Sequence, residues 1–227
     1  MPRYRIKFSK QGAARFISHL DLVRTFERAM RRAGLPLVFS QGFNPHPRFS
    51  FAAPLPVGVA GEQEYLDLEL VEAWPADAVA RRLAACLPEG LTVAGACPVP
   101  GHAPALMASV QRADYRVHVQ LKEALTPEQL DECLHCLLSL PEVTVIRKTR
   151  EGKEKFYDIR PGIFNLTGRI DGPEVLLAMT LQAGSGGNVR PEEVIAALAG
   201  KCGLPVLPGA LEIVRTGLLL AGDETIA

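Results

Sequence analysis

Long apolar runs are missing from this chain. No stretch of its 227 residues reaches the ~20 consecutive apolar residues that a membrane-spanning helix needs, and the opening "MPRYRIKFSKQG" has no signal-peptide core. A cytoplasmic location is the expectation. Cysteine is scarce too: five residues, at 86, 97, 133, 136 and 202, odd in number and scattered. A chain of this length folds without covalent staples, so reduced thiols are expected. Catalytic signatures are equally sparse. "CLHC" (133–136) has no second Cys/His pair at finger-like spacing and reads as two half-buried helix cysteines. No three-cysteine run of the kind that holds an exchange-labile iron–sulfur cluster is present. The glycines of "AGSGGNVRPEE" (183–193) lack the Lys-Ser/Thr of a P-loop and read as a turn. Neither a Ser-His-Asp arrangement nor paired acids stand out, so no cofactor and no metal are expected.

The composition is that of a soluble globular protein, 48% hydrophobic and 22% charged. The length suits one large domain or two of about 100 residues each. A net charge of zero conceals an asymmetry. Residues 1–50 carry ten Arg or Lys against Asp21 and Glu27, a balance of +8, while the rest holds 15 basic and 23 acidic residues, a balance of −8. Such a charge dipole suits an N-terminal part that meets a polyanion, or one that docks on an acidic partner.

Arg3–Ser9 alternates as a strand, with Tyr4, Ile6 and Phe8 on one face. Ser18 followed by Asp21 reads as a capping box, and Leu22, Val23, Phe26, Ala29, Met30 and Ala33 follow at helical spacing until Gly34. Strands are expected near 36–40, 48–53 and 62–70, a helix from Pro75 to Leu87, then the strand "LTVAGA". The order is β-α-β-β-α-β with an extra hairpin arm, which suits a ferredoxin-like domain over 1–100. "PVPGHAPALMAS" reads as a linker, placed at 101–113. The order then repeats over 114–227: strand 115–121, a helix capped at Thr126-Pro127-Glu128, hairpins around Glu151-Gly152 and Asp171-Gly172, the helix "PEEVIAALAG" and a closing strand. The expected fold class is α+β, two tandem ferredoxin-like halves, each with an extra hairpin arm.

The first helix sets Arg24, Arg28 and Arg31 in one stripe with Arg32 beside it, a row suited to a nucleic-acid backbone or to plain solvation. His19 opens that helix, where the positive end of the dipole keeps imidazole neutral. It is a candidate general base, or a histidine bonded to the preceding loop. In "FNPHPR" (43–48), Pro45 and Pro47 hold Asn44 and His46 extended. The loop then presents Phe43 for stacking and His46 and Arg48 as donors, the way single-stranded RNA is gripped. The other reading of Phe43 is a plug under a hairpin. Asp158 and Arg160 of "YDIRPGI" share one side of a strand, as an ion pair or a second anion site.

Through "RFISHLDLVRTFERAMRRAGLPLVFSQGFNPHPRFSFAAPLPVG" (15–58), Glu64-Tyr65 and "YDIRP", the chain resembles a bacterial family of unknown function, the radical SAM-linked proteins. The resemblance spans nearly the whole chain. It implies a protein encoded beside, or fused behind, a radical SAM enzyme, often near ribonuclease and ribosomal-protein genes. A looser likeness is to the CRISPR repeat-processing endoribonucleases, which use tandem ferredoxin-like domains, a basic first helix and a hairpin arm. Some of them cut RNA with a histidine near that helix, which here implies His19. "LEIVRTGLLLAGDETIA" departs from them, with Gly217 and Gly222 in place of a glycine-rich loop. The expected function is a non-catalytic RNA-binding accessory partnered with a radical SAM enzyme. The alternatives are a metal-independent endoribonuclease using His19 and a protein-only scaffold for an acidic partner.

Overall fold

The computed structural model describes residues 1–149 and 151–220; Gly222, named above, lies outside them. The fold is mixed α+β, with a core built mostly of sheet and five α-helices among the described residues. The described residues divide into two compact units, Met1–Val110 with Arg215–Leu220, and Gln111–Val214.

In the first unit, β1 (Arg3–Lys10) buries every second residue, as its alternation predicts: Tyr4, Ile6, Phe8 and also Lys10. After a 3-10 turn at Gly12–Phe16 comes α1 (His19–Arg32). Ser18 caps it as expected, with the Asp21 amide donating to Ser18 Oγ at 3.2 Å. The Asp21 carboxylate, however, accepts from the Ser18 hydroxyl at 2.7 Å, and the reciprocal half of the expected capping box is not formed. Gly34, at φ +63°, ends the helix. Leu22, Phe26, Ala29 and Met30 form its buried face. Phe8, Phe26 and Phe51 pack edge-to-face with centroids 4.9 to 5.7 Å apart.

The arm that follows forms less strand than expected. Residues 36–40 contribute only the isolated bridges Leu37 to Leu70 and Phe39 to Pro47, and β2 is three residues long (Phe49–Phe51). Pro36, Pro45 and Pro47 have no amide hydrogen to give a ladder, so pairing is confined to bonds such as Arg48 N–H to the Val38 carbonyl (2.7 Å). β3 (Ala60–Glu69), α2 (Ala76–Ala84), β4 (Leu91–Val99) and the short α3 (Leu106–Ser109) follow. β1 runs antiparallel to both β3 and β4, and β2 antiparallel to β3.

The second unit holds β5 (Val110–Leu121), α4 (Pro127–Ser139), the hairpin β6 (Thr144–Lys148) and β7 (Glu154–Asp158), then β8 (Ile163–Asp171), β9 (Glu174–Gln182) and α5 (Pro191–Cys202). Thr126 and Gln129 form a reciprocal capping box on α4. β10 (Val206–Leu220) serves both units, giving strand order β4-β1-β3-β10 in the first and β10-β5-β9-β8 in the second. The expectation of reduced cysteines is corrected here: Cys136 on α4 and Cys202 at the end of α5 are joined in a disulfide. A helix pair set side by side brought together thiols 66 residues apart, a proximity that local spacing does not carry. Cys86, Cys97 and Cys133 are free.

Candidate functional site

The outer face of α1 is basic, as the spacing predicts, but most of its arginines have partners. Arg24 lies 3.5 Å from Asp21, and Arg31 donates to Glu27 at 2.9 Å while its guanidinium sits 5.2 Å over the Phe39 ring. Arg32 donates to the Cys86 carbonyl at 2.5 Å. Arg28 is exposed, with no ion pair or hydrogen bond among the described residues. Exposed intrahelical pairs of this kind are worth about 0.3–0.5 kcal/mol.

The loop after Phe39 is tied at its neck and free at its tip. Ser40 and His46 exchange two bonds: the Ser40 amide donates to the His46 carbonyl (2.8 Å) and the His46 amide to Ser40 Oγ (3.1 Å). Between them Gly42 takes φ +135°, a backbone that side chains avoid. Phe43 is fully exposed at the tip, with Asn44 exposed beside it. Of the two readings of Phe43, a core plug is therefore not what the fold uses. Arg48 leaves the loop to pair with Glu69 at 3.1 Å.

Beneath the loop lies a pocket of about 350 Å³. α1 supplies His19, Val23 and Glu27; the loop supplies His46 and Pro47; β2 supplies Phe49, Ser50 and Phe51; Pro54 and Met107 complete the wall. His19 packs edge-on against Phe51, centroids 5.4 Å apart, and its Nδ1 is shielded from solvent with no partner among the described residues. Burial first, and the Lys10 charge second, push the His19 pKa below the ordinary 6.5. The neutral imidazole expected from sequence is thus favoured, through desolvation more than through the helix end.

Behind this wall the sequence reading missed a buried charge cluster. Lys10 is 1% exposed, Arg215 2% and Glu64 3%. Arg215 grips Glu64 with two bonds, Nε to Oε1 at 2.8 Å and Nη2 to Oε2 at 2.5 Å, and also donates to the Ala53 and Pro54 carbonyls. Lys10 donates to the Ile17 carbonyl at 3.1 Å. Burial lowers its pKa; Glu64 opposes that shift and Arg215 adds to it. Lys10 had a legible signal, since it continues the inward phase of Tyr4, Ile6 and Phe8. For the pairing of Arg215 with Glu64, 151 residues away, there was none.

Asp158 and Arg160 belong to the second unit and serve its backbone. Asp158 Oδ1 accepts from the Val143 and Arg160 amides (2.8 and 2.9 Å), while the Arg160 guanidinium donates to the Leu138 and Ile163 carbonyls. Those bonds use three of the five guanidinium donors of Arg160. Among the described residues no cluster of His, Cys, Asp and Glu has the arrangement to hold a metal ion. Nor is any described helix long and apolar enough to cross a membrane.

Residues 3–191 match the model of a family described as an uncharacterized protein conserved in bacteria. No curated protein matches the chain. Among solved structures it is similar to a chain of a Cbf5–Nop10–Gar1 complex at 12% identity and a TM-score of 0.52, covering 95% of this chain and 48% of that one. The archaeal box H/ACA sRNP Nop10–Cbf5 complex gives 13% identity and a TM-score of 0.50, covering 98% and 50%. An H/ACA RNP bound to a substrate RNA containing 2′-deoxyuridine gives 12% and 0.52, covering 99% and 50%. The chain spans about half the length of these three chains. At such identities the likeness is one of fold.

Proposed function

The chain belongs to that bacterial family, DUF2344, and from this premise we propose that it is a non-catalytic RNA-binding accessory protein working with a radical SAM enzyme. The observation that carries the RNA reading is the fully exposed Phe43, held on a proline-stiffened loop whose neck lies against a pocket on the basic helix α1. An aromatic ring kept in water at the tip of a constrained loop is a stacking platform, and Arg24, Arg28 and Arg31 supply the charge beside it. Asn44, His46 and Arg48 belong to the same grip. The solved structures of similar fold are complexes whose names include ribonucleoproteins, which supports the reading without assigning it. The radical SAM partner rests on the resemblance carried by residues 15–58. The finer architecture, two tandem ferredoxin-like halves over 1–100 and 114–227 with a linker at 101–113, is part of the same proposal. Support comes from β1-β3-β2 pairing in the first unit and from β5-β9-β8 in the second, each with a helix after its first strand.

Filter binding of the whole chain to total cellular RNA at several salt concentrations tests this, with Arg24/Arg28/Arg31→Glu alongside. Single-strand binding loses about 0.7 of a logarithmic salt slope per phosphate contact. Removing three contacts lowers the slope by about 2. An unchanged slope removes the α1 face from the interface, and absence of binding at low salt leaves the acidic-partner scaffold. The neutral His19 on the pocket wall favours one second reading, a metal-independent endoribonuclease. That reading requires 2′,3′-cyclic phosphate ends formed in EDTA and lost in His19→Ala.

A further inference from the structure

We infer that the pocket under the Phe43 loop takes one unpaired nucleobase of the bound RNA, and that Glu27 makes guanine the preferred one. The inference rests on the RNA reading above and adds a specificity site to it. The volume, about 350 Å³, sits at the small end of ligand pockets and suits a single base. Val23, Phe49, Phe51 and Met107 give it apolar walls.

Glu27 sets the chemistry. It lines the pocket on the arginine-bearing face of α1, and Arg31 donates to it at 2.9 Å. A carboxylate there repels a phosphodiester, so the pocket admits the uncharged base while the backbone stays on the arginines. A carboxylate only accepts hydrogen bonds. Guanine's Watson–Crick edge presents two adjacent donors, the N1 imino and the N2 amino group. Adenine and cytosine each set one amino donor beside an acceptor that a carboxylate repels, and uracil flanks its imino group with two carbonyls. His46 and Ser50, also on the wall, carry donors for the guanine O6.

The test is fluorescence anisotropy of the whole chain with uridine heptamers carrying a single central G, A, C or U. Roughly tenfold tighter binding of the G heptamer than of the all-U heptamer is expected, the lower range of discrimination by a bidentate base contact. Glu27→Gln is nearly isosteric. It should cut that preference below about threefold and raise relative affinity for the A heptamer, whose edge matches an amide, with an unchanged urea midpoint as evidence of a folded chain. Equal binding of the four heptamers by the unaltered chain overturns the base pocket while leaving RNA binding standing. A guanine preference that survives Glu27→Gln overturns the assignment of Glu27. No binding of any heptamer at low salt overturns the RNA reading and the pocket together.

Discussion

Glu64→Gln is the sharpest probe of the charge cluster behind the pocket. It removes a carboxylate from Lys10 and Arg215, both buried. Breaking a buried ion pair by deleting one partner costs about 3–5 kcal/mol, because the remaining charge is stranded away from water. Two features bring this case to the lower end. Arg215 keeps the Ala53 and Pro54 carbonyls, and Lys10 keeps the Ile17 carbonyl and can shed its proton. A loss of about 3 kcal/mol is therefore expected, a large share of the ~5–15 kcal/mol that holds a domain folded. Trp74, the sole tryptophan, packs in the first unit under the Arg82 guanidinium, so urea unfolding followed by its fluorescence reports this unit. With a urea dependence of about 1–3 kcal/mol per M, the midpoint should fall by at least ~1 M.

The double substitution Glu64→Leu/Arg215→Met should recover most of the loss, since an apolar pair replaces the ion pair without stranding either charge. The pH dependence has a definite sign. Lys10 is depressed below 10.5 in the folded chain, so the unfolded chain binds more protons between that lowered value and 10.5. Stability therefore rises with pH across that window. Glu64→Gln removes the influence that holds the Lys10 pKa up, and the window should extend to lower pH. A loss under about 1 kcal/mol, or a double variant as unstable as the two singles combined, would refute the reasoning.

Three further outcomes are expected. The NMR titration of His19 should have its midpoint below 6.5, and Lys10→Met should raise it while leaving the Glu64–Arg215 pair balanced; a midpoint unmoved by Lys10→Met would remove Lys10 as a cause. Since the folded His19 binds fewer protons, its contribution to stability is lost as pH falls from 6.5 toward the lowered value. Phe43→Ala should leave the urea midpoint unchanged, within about 0.5 kcal/mol. It should weaken single-stranded RNA binding by ~1–3 kcal/mol, and undiminished affinity would take the ring out of the interface. Thiol titration of the unreduced, denatured chain should find three reactive groups, rising to five after reduction; five from the start would contradict the Cys136–Cys202 bond.

The residues that sequence placed well are those whose environment is set within a few positions. The 3.6-residue period of Leu22, Phe26, Ala29 and Met30 commits one face of α1 to the core and leaves Arg24, Arg28 and Arg31 outside. Ser18 and Thr126 cap their helices because a side-chain oxygen three residues back meets an unpaired amide by local geometry alone. The prolines of the loop likewise act on their own backbones, which is why Phe43 could be read as a presented ring. The hydrophobic run at 36–40 suggests a strand, but the missing amide hydrogens of Pro36 and of Pro45 and Pro47 opposite it leave only isolated bridges.

What sequence left open was decided by pairing across long separations. The imidazole of His19 is neutral chiefly because β1, β2 and α1 close around it and set Lys10 nearby. Only the fold turns the Arg160 guanidinium onto the Leu138 and Ile163 carbonyls. The order of residues alone determined the basic first 50 residues and the alternation that buries Lys10. Only the tertiary fold could deliver Arg215 to Glu64 and Cys136 to Cys202. Those partners are chosen by strand order and helix packing, and hydrogen-bond and ion-pair energies act over a few ångströms of space, whatever the distance along the chain.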